Sequence, residues 1–295
     1  MRPSPAVGPA RPVSLRLALA LAVVAQLSVN ASAGFAVKAF ELVGPAGMVL
    51  LRNGISAVIL LALVRPRWRG LTPQAWGAAS LYGFSMVVMN SFFYEGIDRV
   101  PVGPAVTIEM LGPLALSVLL VRRWRAWMWA VLALGGVLML SGFDFAGINI
   151  QGTVYVLVAG TAWAGYIVNA RLVGRVFAGA DGLAIGMAVA ALASLPRGVP
   201  DLVARPDGIG VLGWGALVAA LGTLIPYGLE MISLRGMSAA TFGVTTALAP
   251  GSAALFGWWI AGQPLNWWTG VGMALVTIAA AGAALDESPG TLAAG

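Results

Sequence analysis

Apolar residues recur along this chain in ten long runs separated by short polar joints. The runs fall at 16–38, 45–64, 74–95, 100–121, 125–143, 152–172, 183–203, 211–234, 240–261 and 267–285. A helix rises about 1.5 Å per residue, so about 20 residues carry it across a hydrocarbon layer roughly 30 Å thick. Each run has about that length. Lipid offers no partners to backbone N–H and C=O groups, which leaves closed barrels as the one alternative to helices. A barrel needs strands of alternating polarity, and none stands out here. The pattern predicts an all-α integral membrane protein with ten transmembrane helices. Frequent Gly and Ala within the runs suit helices that approach closely.

The runs divide into two series that resemble each other in order. "NASAGFAVKAF" (30–40) in the first run parallels "TAWAGYIVNAR" (161–171) in the sixth, and "GPAGMVL" (44–50) parallels "GADGLAI" (179–185). "TIEMLGPLALSVLL" (107–120) parallels "VTTALAPGSAALFG" (244–257), which sets Pro113 against Pro250 and Glu109 against Thr246. "WMWAVLALGGVLML" (127–140) and "WWTGVGMALVTIAA" (267–280) close the two series. The expected five-helix repeats are 15–143 and 152–285. Five is odd, so the second repeat must cross the membrane in the opposite sense to the first. Such inverted repeats are frequent among secondary transporters, which bind substrate near the midplane between the repeats. Residues 1–14, rich in Pro and Arg, read as a disordered cytoplasmic tail, and 286–295 as a cytoplasmic C-terminal tail. A basic start, an apolar run and Ala31-x-Ala33 also fit a signal peptide. The kinship of the first run with the sixth argues for keeping it as a helix.

Composition agrees with a membrane protein. Only 9% of the 295 residues are charged and 59% are hydrophobic, with a mean hydropathy of +0.89. A soluble domain carries roughly 25% charged residues. The net charge of +6 and pI near 10.5 would fit nucleic acid if the basic residues shared a face. They lie between the apolar runs instead, so no nucleic-acid partner is expected and the charges become topology signals. With a cytoplasmic N-terminus, twelve Lys and Arg fall on the inner side and five on the other. That bias predicts both termini inside. The absence of Cys and His removes disulfide and thiolate chemistry and the commonest metal ligand. No nucleotide-binding loop appears. An ATP-driven pump and a membrane-embedded enzyme lose support, and no cofactor or metal is expected.

Several polar side chains interrupt the runs. Glu109 lies about nine residues into its run, roughly 13–14 Å deep and near the midplane. An ionised carboxylate there costs at least a few kcal/mol, so it should face the bundle interior, pair, or carry a proton. It is either a coupling or substrate-contact site or half of a helix–helix ion pair. One turn on, Pro113 removes an N–H, frees the Glu109 carbonyl and kinks the helix. Pro250 repeats this in the second series, for a central cavity or for packing. Arg52, about seven residues into its run, either grips a substrate carboxylate bidentately or pairs with Glu41 or Glu109. Lys38 is a snorkelling end residue or a second substrate contact. Glu230, after "PYG", is an inner-gate residue paired with Arg235 or Arg171, or a solvated helix end. Asn30, Asn90, Tyr94, Trp163, Tyr166, Asn169, Tyr227 and Thr245 are each either interhelical glue or cavity lining.

Two stretches carry a resemblance to a known family. They are "NSFFYEGIDRVPVGPAVTIEMLGPLALSVLLVRR" (90–123), with its Glu four residues before Pro, and "IPYGLEMISLRGMSAATFGVTTALAPGSAALFGWWIAGQPL" (225–265). Over roughly residues 15–285 the chain resembles the EamA group of the drug/metabolite transporter superfamily, most nearly its bacterial threonine/homoserine exporter-like members. The resemblance implies export of a small amino acid or related metabolite, such as threonine or homoserine. Together with the inverted repeats and the missing nucleotide motif, it predicts a secondary active transporter in the cell (inner) membrane. Substrate would leave in exchange for protons by alternating access, and the expected partners are a small-molecule substrate, protons and the lipid bilayer. An exporter of wider range, taking drugs or aromatic metabolites, is the alternative that the Phe, Tyr and Trp residues favour.

Overall fold

The computed structural model describes residues 13–121, 124–140, 149–177, 179–204, 208–237 and 239–286. Apart from 13–14 and 286, the two expected tails lie outside the described residues. Every regular element among the described residues is helical. In chain order the helices are α1 Leu15–Val43, α2 Pro45–Val64, α3 Pro73–Ile97, α4 Val102–Glu109, α5 Leu111–Val121, α6 Trp124–Leu140 and α7 Ile150–Val176. There follow α8 Asp181–Val203, α9 Gly208–Ala219, α10 Ile225–Ser233, α11 Ala239–Thr246, α12 Ala249–Ala261 and α13 Trp267–Asp286. A π-helical turn, Ala220–Leu224, joins α9 to α10.

Local chemistry sets the helix starts. Ser14, Thr72 and Asn149 cap α1, α3 and α7 by accepting from the backbone N–H groups of Leu17 (3.4 Å), Ala75 (3.2 Å) and Gly152 (2.9 Å). Pro45 and Pro73 open α2 and α3, where the missing N–H has no helical partner to lose. Gly44 alone separates α1 from α2, at a φ of 74° that residues with a Cβ rarely take.

Six helical segments among the described residues are long and apolar enough to cross a membrane: 15–43, 45–64, 150–176, 181–203, 210–233 and 244–261. Shorter apolar helices cover 102–116, 124–139 and 267–283, and α3 runs 25 residues. The polarity is that of a protein dissolved in lipid. Val58, Leu63, Leu119, Val131 and Trp259 are exposed, while Asn30, Ser32, Asn53, Asn90, Thr107 and Thr223 are buried.

Three runs expected as single helices are interrupted. The run 100–121 breaks at Met110, the run 240–261 breaks at Ala247–Leu248, and the run 211–234 contains the π turn. Each interruption precedes a proline. An α-helical carbonyl needs the N–H four residues on, and proline has none. Pro113 therefore strands the Glu109 carbonyl, Pro250 that of Thr246, and Pro226 that of Gly222. The first two are the last residues of α4 and α11, and the linking residues Met110 (φ −62°, ψ −17°) and Leu248 (φ −74°, ψ −7°) stay in the right-handed helical region.

In the bundle α3 packs on α7 and α8, α2 on α8 and α9, and α6 on α13. α1 packs on α12 and on the α9–π–α10 segment, α4 on α12, and both α4 and α5 on α7. The α4–α5 segment meets α7 through glycine. A Cβ on Gly112 would overlap the backbone of Gly160, and one on Gly160 would overlap the backbone of Glu109.

Candidate functional site

α2 carries Arg52 into the bundle, where three of its five N–H groups are held. Nε donates to Thr223 Oγ1 (3.0 Å), Nη2 to the Gly222 carbonyl (2.8 Å) and Nη1 to the Tyr94 hydroxyl (3.2 Å). The Tyr94 ring also stands with its centroid 5.7 Å from the guanidinium carbon. Gly222 can accept because its ordinary helical donor would be residue 226, which is proline. The π turn and Pro226 thus leave an acceptor inside the bundle, and Arg52 fills it. One N–H remains on each terminal nitrogen, and two parallel N–H groups of that kind match a carboxylate.

Glu109 closes α4 and is 9% exposed. Among the described residues its carboxylate makes no hydrogen bond or ion pair. Arg52 is near enough for the two charges to attract, whereas Glu41 is exposed and does not pair with the arginine. Tyr227 of α10 lies within electrostatic reach of Arg52 and hydrogen-bonding reach of Tyr166 on α7. Tyr82 of α3 donates to the Tyr166 hydroxyl (3.0 Å), with the two rings stacked 5.0 Å apart. Arg52, Tyr166 and Tyr227 are each partly buried. A cation and an anion that attract without touching, in a hydroxyl-lined interior, can hold a small dipolar molecule between them.

The other expected residues divide by their partners. Asn30 donates to the Gln26 carbonyl (3.0 Å) and to Ser252 Oγ (2.7 Å), tying α1 to α12. Asn169 donates to Ser85 Oγ (2.7 Å), tying α7 to α3. Asn90 donates to Asn53 Oδ1 (3.2 Å) and Asn53 to Ser194 Oγ (3.1 Å), linking α3, α2 and α8. Thr245 donates within its own helix, to the Phe242 carbonyl (2.7 Å). Trp163 is partly buried against the apolar core. Lys38 is exposed near the end of α1. Pro113 and Pro250 stand in the first turns of α5 and α12. Glu230 sits one turn beyond Tyr227 on α10, and it forms no ion pair with Arg171 or Arg235, which are both exposed.

The Asn90–Asn53–Ser194 chain is wholly buried, and it makes a stability prediction. Asn53→Leu would leave two buried polar groups short of a partner, at a cost of about 1–3 kcal/mol. Its thermal unfolding midpoint in detergent should fall, and an unchanged midpoint would mean that the network does not brace the bundle.

Reading the sequence missed Gly222, Thr223, Asn53 and Tyr82. Pro226 was the available signal for the first two, because a proline inside an apolar run marks a carbonyl four residues earlier that must find another donor. Asn53, beside Arg52, was legible as a second polar residue in the same run.

Comparison with known proteins bears on this site. A model of the EamA-like transporter family matches residues 150–285. The threonine/homoserine exporter RhtA of Escherichia coli (strain K12) is 34% identical over 262 residues, spanning 88% of each chain. The protein of the same name from Salmonella typhimurium (strain SL1344) is 34% identical over 265 residues, again 88% of each. The chain belongs to the EamA-like transporter family. A crystal structure at 20% identity superposes with a TM-score of 0.61, covering 92% of this EamA-like chain and 98% of the other, which shows a shared fold. As an EamA-like protein with several apolar spans, it is a multi-pass membrane transporter, and its relatives bear the names of exporters rather than enzymes.

Proposed function

We propose that this protein is a secondary active exporter of small amino acids of the threonine and homoserine class, driven by protons moving the other way. In this reading the fold is ten spans in two inverted halves, with both termini cytoplasmic in the cell (inner) membrane. The spans are α1, α2, α3, α4–α5 and α6, then α7, α8, α9–α10, α11–α12 and α13. Exchanging the halves turns the most extensive packings into others that are present. The contact of α3 with α7 becomes that of α9–α10 with α1, α1 with α12 becomes α7 with α4–α5, and α3 with α8 becomes α9 with α2. The α2–α8, α6–α13 and α4–α12 contacts map onto themselves. This two-fold pairing supports inverted repeats, and with them alternating access around a central site.

Arg52 and Glu109 carry the substrate reading. An α-amino acid offers a carboxylate for the two spare N–H groups of Arg52 and an ammonium for the unpartnered carboxylate of Glu109. The Tyr94, Tyr166 and Tyr227 hydroxyls suit a short polar side chain. Proton and ammonium would then compete for Glu109: binding one from outside releases the other. The names of the RhtA relatives support the same class. Counterflow of labelled threonine in proteoliposomes, with a competitor panel, tests it. Selective exchange supports the reading, and no exchange defeats it. Weak selectivity would favour the wider-range exporter, for which the stacked Tyr82 and Tyr166 rings offer a surface.

Glu109→Gln should lose uptake driven by a pH gradient by about tenfold or more, since amide and carboxylate differ in the one property that coupling uses. A Glu109→Gln protein that still follows the gradient like the wild type would remove Glu109 from the coupling step.

A further inference from the structure

Two helices of the first half begin without a cap of their own. α2 starts behind Gly44, which has no side chain, and α4 behind Pro101, and neither residue caps its helix. The first N–H groups of a helix need acceptors, and here the second half supplies them. Asp201, near the end of α8, accepts from the Gly47 N–H of α2 (3.3 Å). Gln263, just past α12, accepts through Oε1 from the Val102 N–H of α4 (2.9 Å). Between them Glu95, near the end of α3, pairs with Arg197 of α8 at 3.8 Å as well as with Arg99 at 3.0 Å.

The three contacts form one edge of the bundle. Arg197 and Asp201 are one turn apart on α8, and Glu95 and Val102 flank the link between α3 and α4. Glycines make room for both capping arms. A Cβ on Gly198 would overlap Leu50 and the Ala46 carbonyl of α2, and one on Gly257 would overlap the Gln263 amide oxygen. Gly262, at a φ of 67°, turns the chain at the end of α12 directly before Gln263. The α8 arm has a weakened ladder. Pro196 and Pro200 lie inside it and lack the N–H groups that the carbonyls of Leu192 and Pro196 would bond. The opposite end of the bundle differs. α8 is the counterpart of α2 under exchange of the halves, and among the described residues its start carries no side-chain cap.

We propose that Asp201 and Gln263 are latches that hold the outer end of the transporter shut and let go when the halves rock. The inference rests on the reading of two inverted halves with cytoplasmic termini. That reading puts the starts of α2 and α4, and the ends of α3, α8 and α12, on the outer side. Each latch joins one half to the other, so an opening that separates these helix ends must break it. The N–H groups set free then meet entering water as their acceptor, which keeps each latch weak enough to part in every cycle. The device is one-sided: it favours the outward-closed state and adds nothing to the inward-closed one. The Arg197 pair, with its guanidinium mostly exposed, adds little.

The chain has no cysteine, so introduced thiols report alone in two experiments on the full-length protein. The first combines Gly47→Cys with Asp201→Cys. A Cβ at position 47 would stand 3.3 Å from that of Asp201, close to the spacing within a disulfide. Oxidation is expected to lower threonine counterflow by about tenfold or more, and reduction to restore it. Unchanged counterflow in cross-linked protein overturns the latch. In the second, Ser32→Cys, at a buried α1 position beside Gly222, reports access to the interior through its rate of labelling by a charged, membrane-impermeant thiol reagent. Removing both latches in that background, by Asp201→Ala with Gln263→Ala, should speed labelling from outside by about fivefold or more and slow it from the cytoplasmic face. Asp201→Asn with Gln263→Glu keeps both acceptors and should restore the original rates. Equal rates with and without the latches, or a rise from both faces, overturn the proposal. Labelling needs no substrate, so a wild type that exchanges no threonine defeats the proposed function while labelling still decides the latch. A rise confined to the cytoplasmic face keeps the latch and overturns the orientation assigned to the halves.

Discussion

Replacing Arg52 by lysine is expected to abolish substrate exchange although charge is conserved. The guanidinium does two tasks at once. Three N–H groups hold Thr223, the Gly222 carbonyl and Tyr94, and two remain for a ligand. An ammonium has three donors in all and no planar fork. It can hold the π turn or bind a carboxylate end-on, but not both. Each charge-assisted hydrogen bond lost is worth about 1.5–3 kcal/mol, and two such bonds convert to at least about 100-fold in exchange rate. The measurement is the initial rate of threonine counterflow, normalised to protein in the vesicles. An Arg52→Lys variant within about threefold of wild type would show that Arg52 does not grip the substrate.

The second large effect is expected at a glycine. Gly160→Ala adds one methyl group where α7 already touches the backbone of Glu109. No side chain there can swing aside, because the obstacle is main chain, so the helices must part. Overpacking of this kind costs about 1–3 kcal/mol. It also moves the carboxylate that the site depends on. Gly160→Ala should therefore lower both the unfolding midpoint and transport. Gly165→Ala on the same helix is the control, since an added methyl there meets nothing within 4 Å. Alanine in place of that glycine favours the helix by about 0.5–1 kcal/mol, so the control should be neutral or slightly stabilised. Equal behaviour of the two variants would mean that α4 does not depend on its close seat against α7.

The apolar helices were legible in the sequence because crossing a bilayer imposes a length and a polarity that few side chains can violate. Arg52 and Glu109 were legible for the same reason, as charges where lipid makes charge expensive. The helix breaks were less so. Hydropathy summed over twenty residues does not register one absent N–H; Pro113 and Pro250 were legible as kinks only from proline chemistry, and Pro226 passed unremarked within its run. Partners were least legible of all. Arg52 meets Gly222 and Thr223 across 170 and 171 positions of sequence, and Asn30 meets Ser252 across 222. Whether a polar residue is glue or cavity wall depends on the face its helix turns inward. That is why the sequence did not disclose that Asn30, Asn90 and Asn169 hydrogen-bond to neighbouring helices.

The glycine contact between α5 and α7 also has a consequence in time. Two helices that interlock through side chains must change rotamers before either can shift, and each change is a small barrier. Gly112 and Gly160 present no side chains, so the surfaces that meet are smooth main chain. Shear motions in proteins are small sliding steps of packed helices. The crossing beside Glu109 therefore holds the carboxylate's backbone close without interlocking side chains at the point of contact.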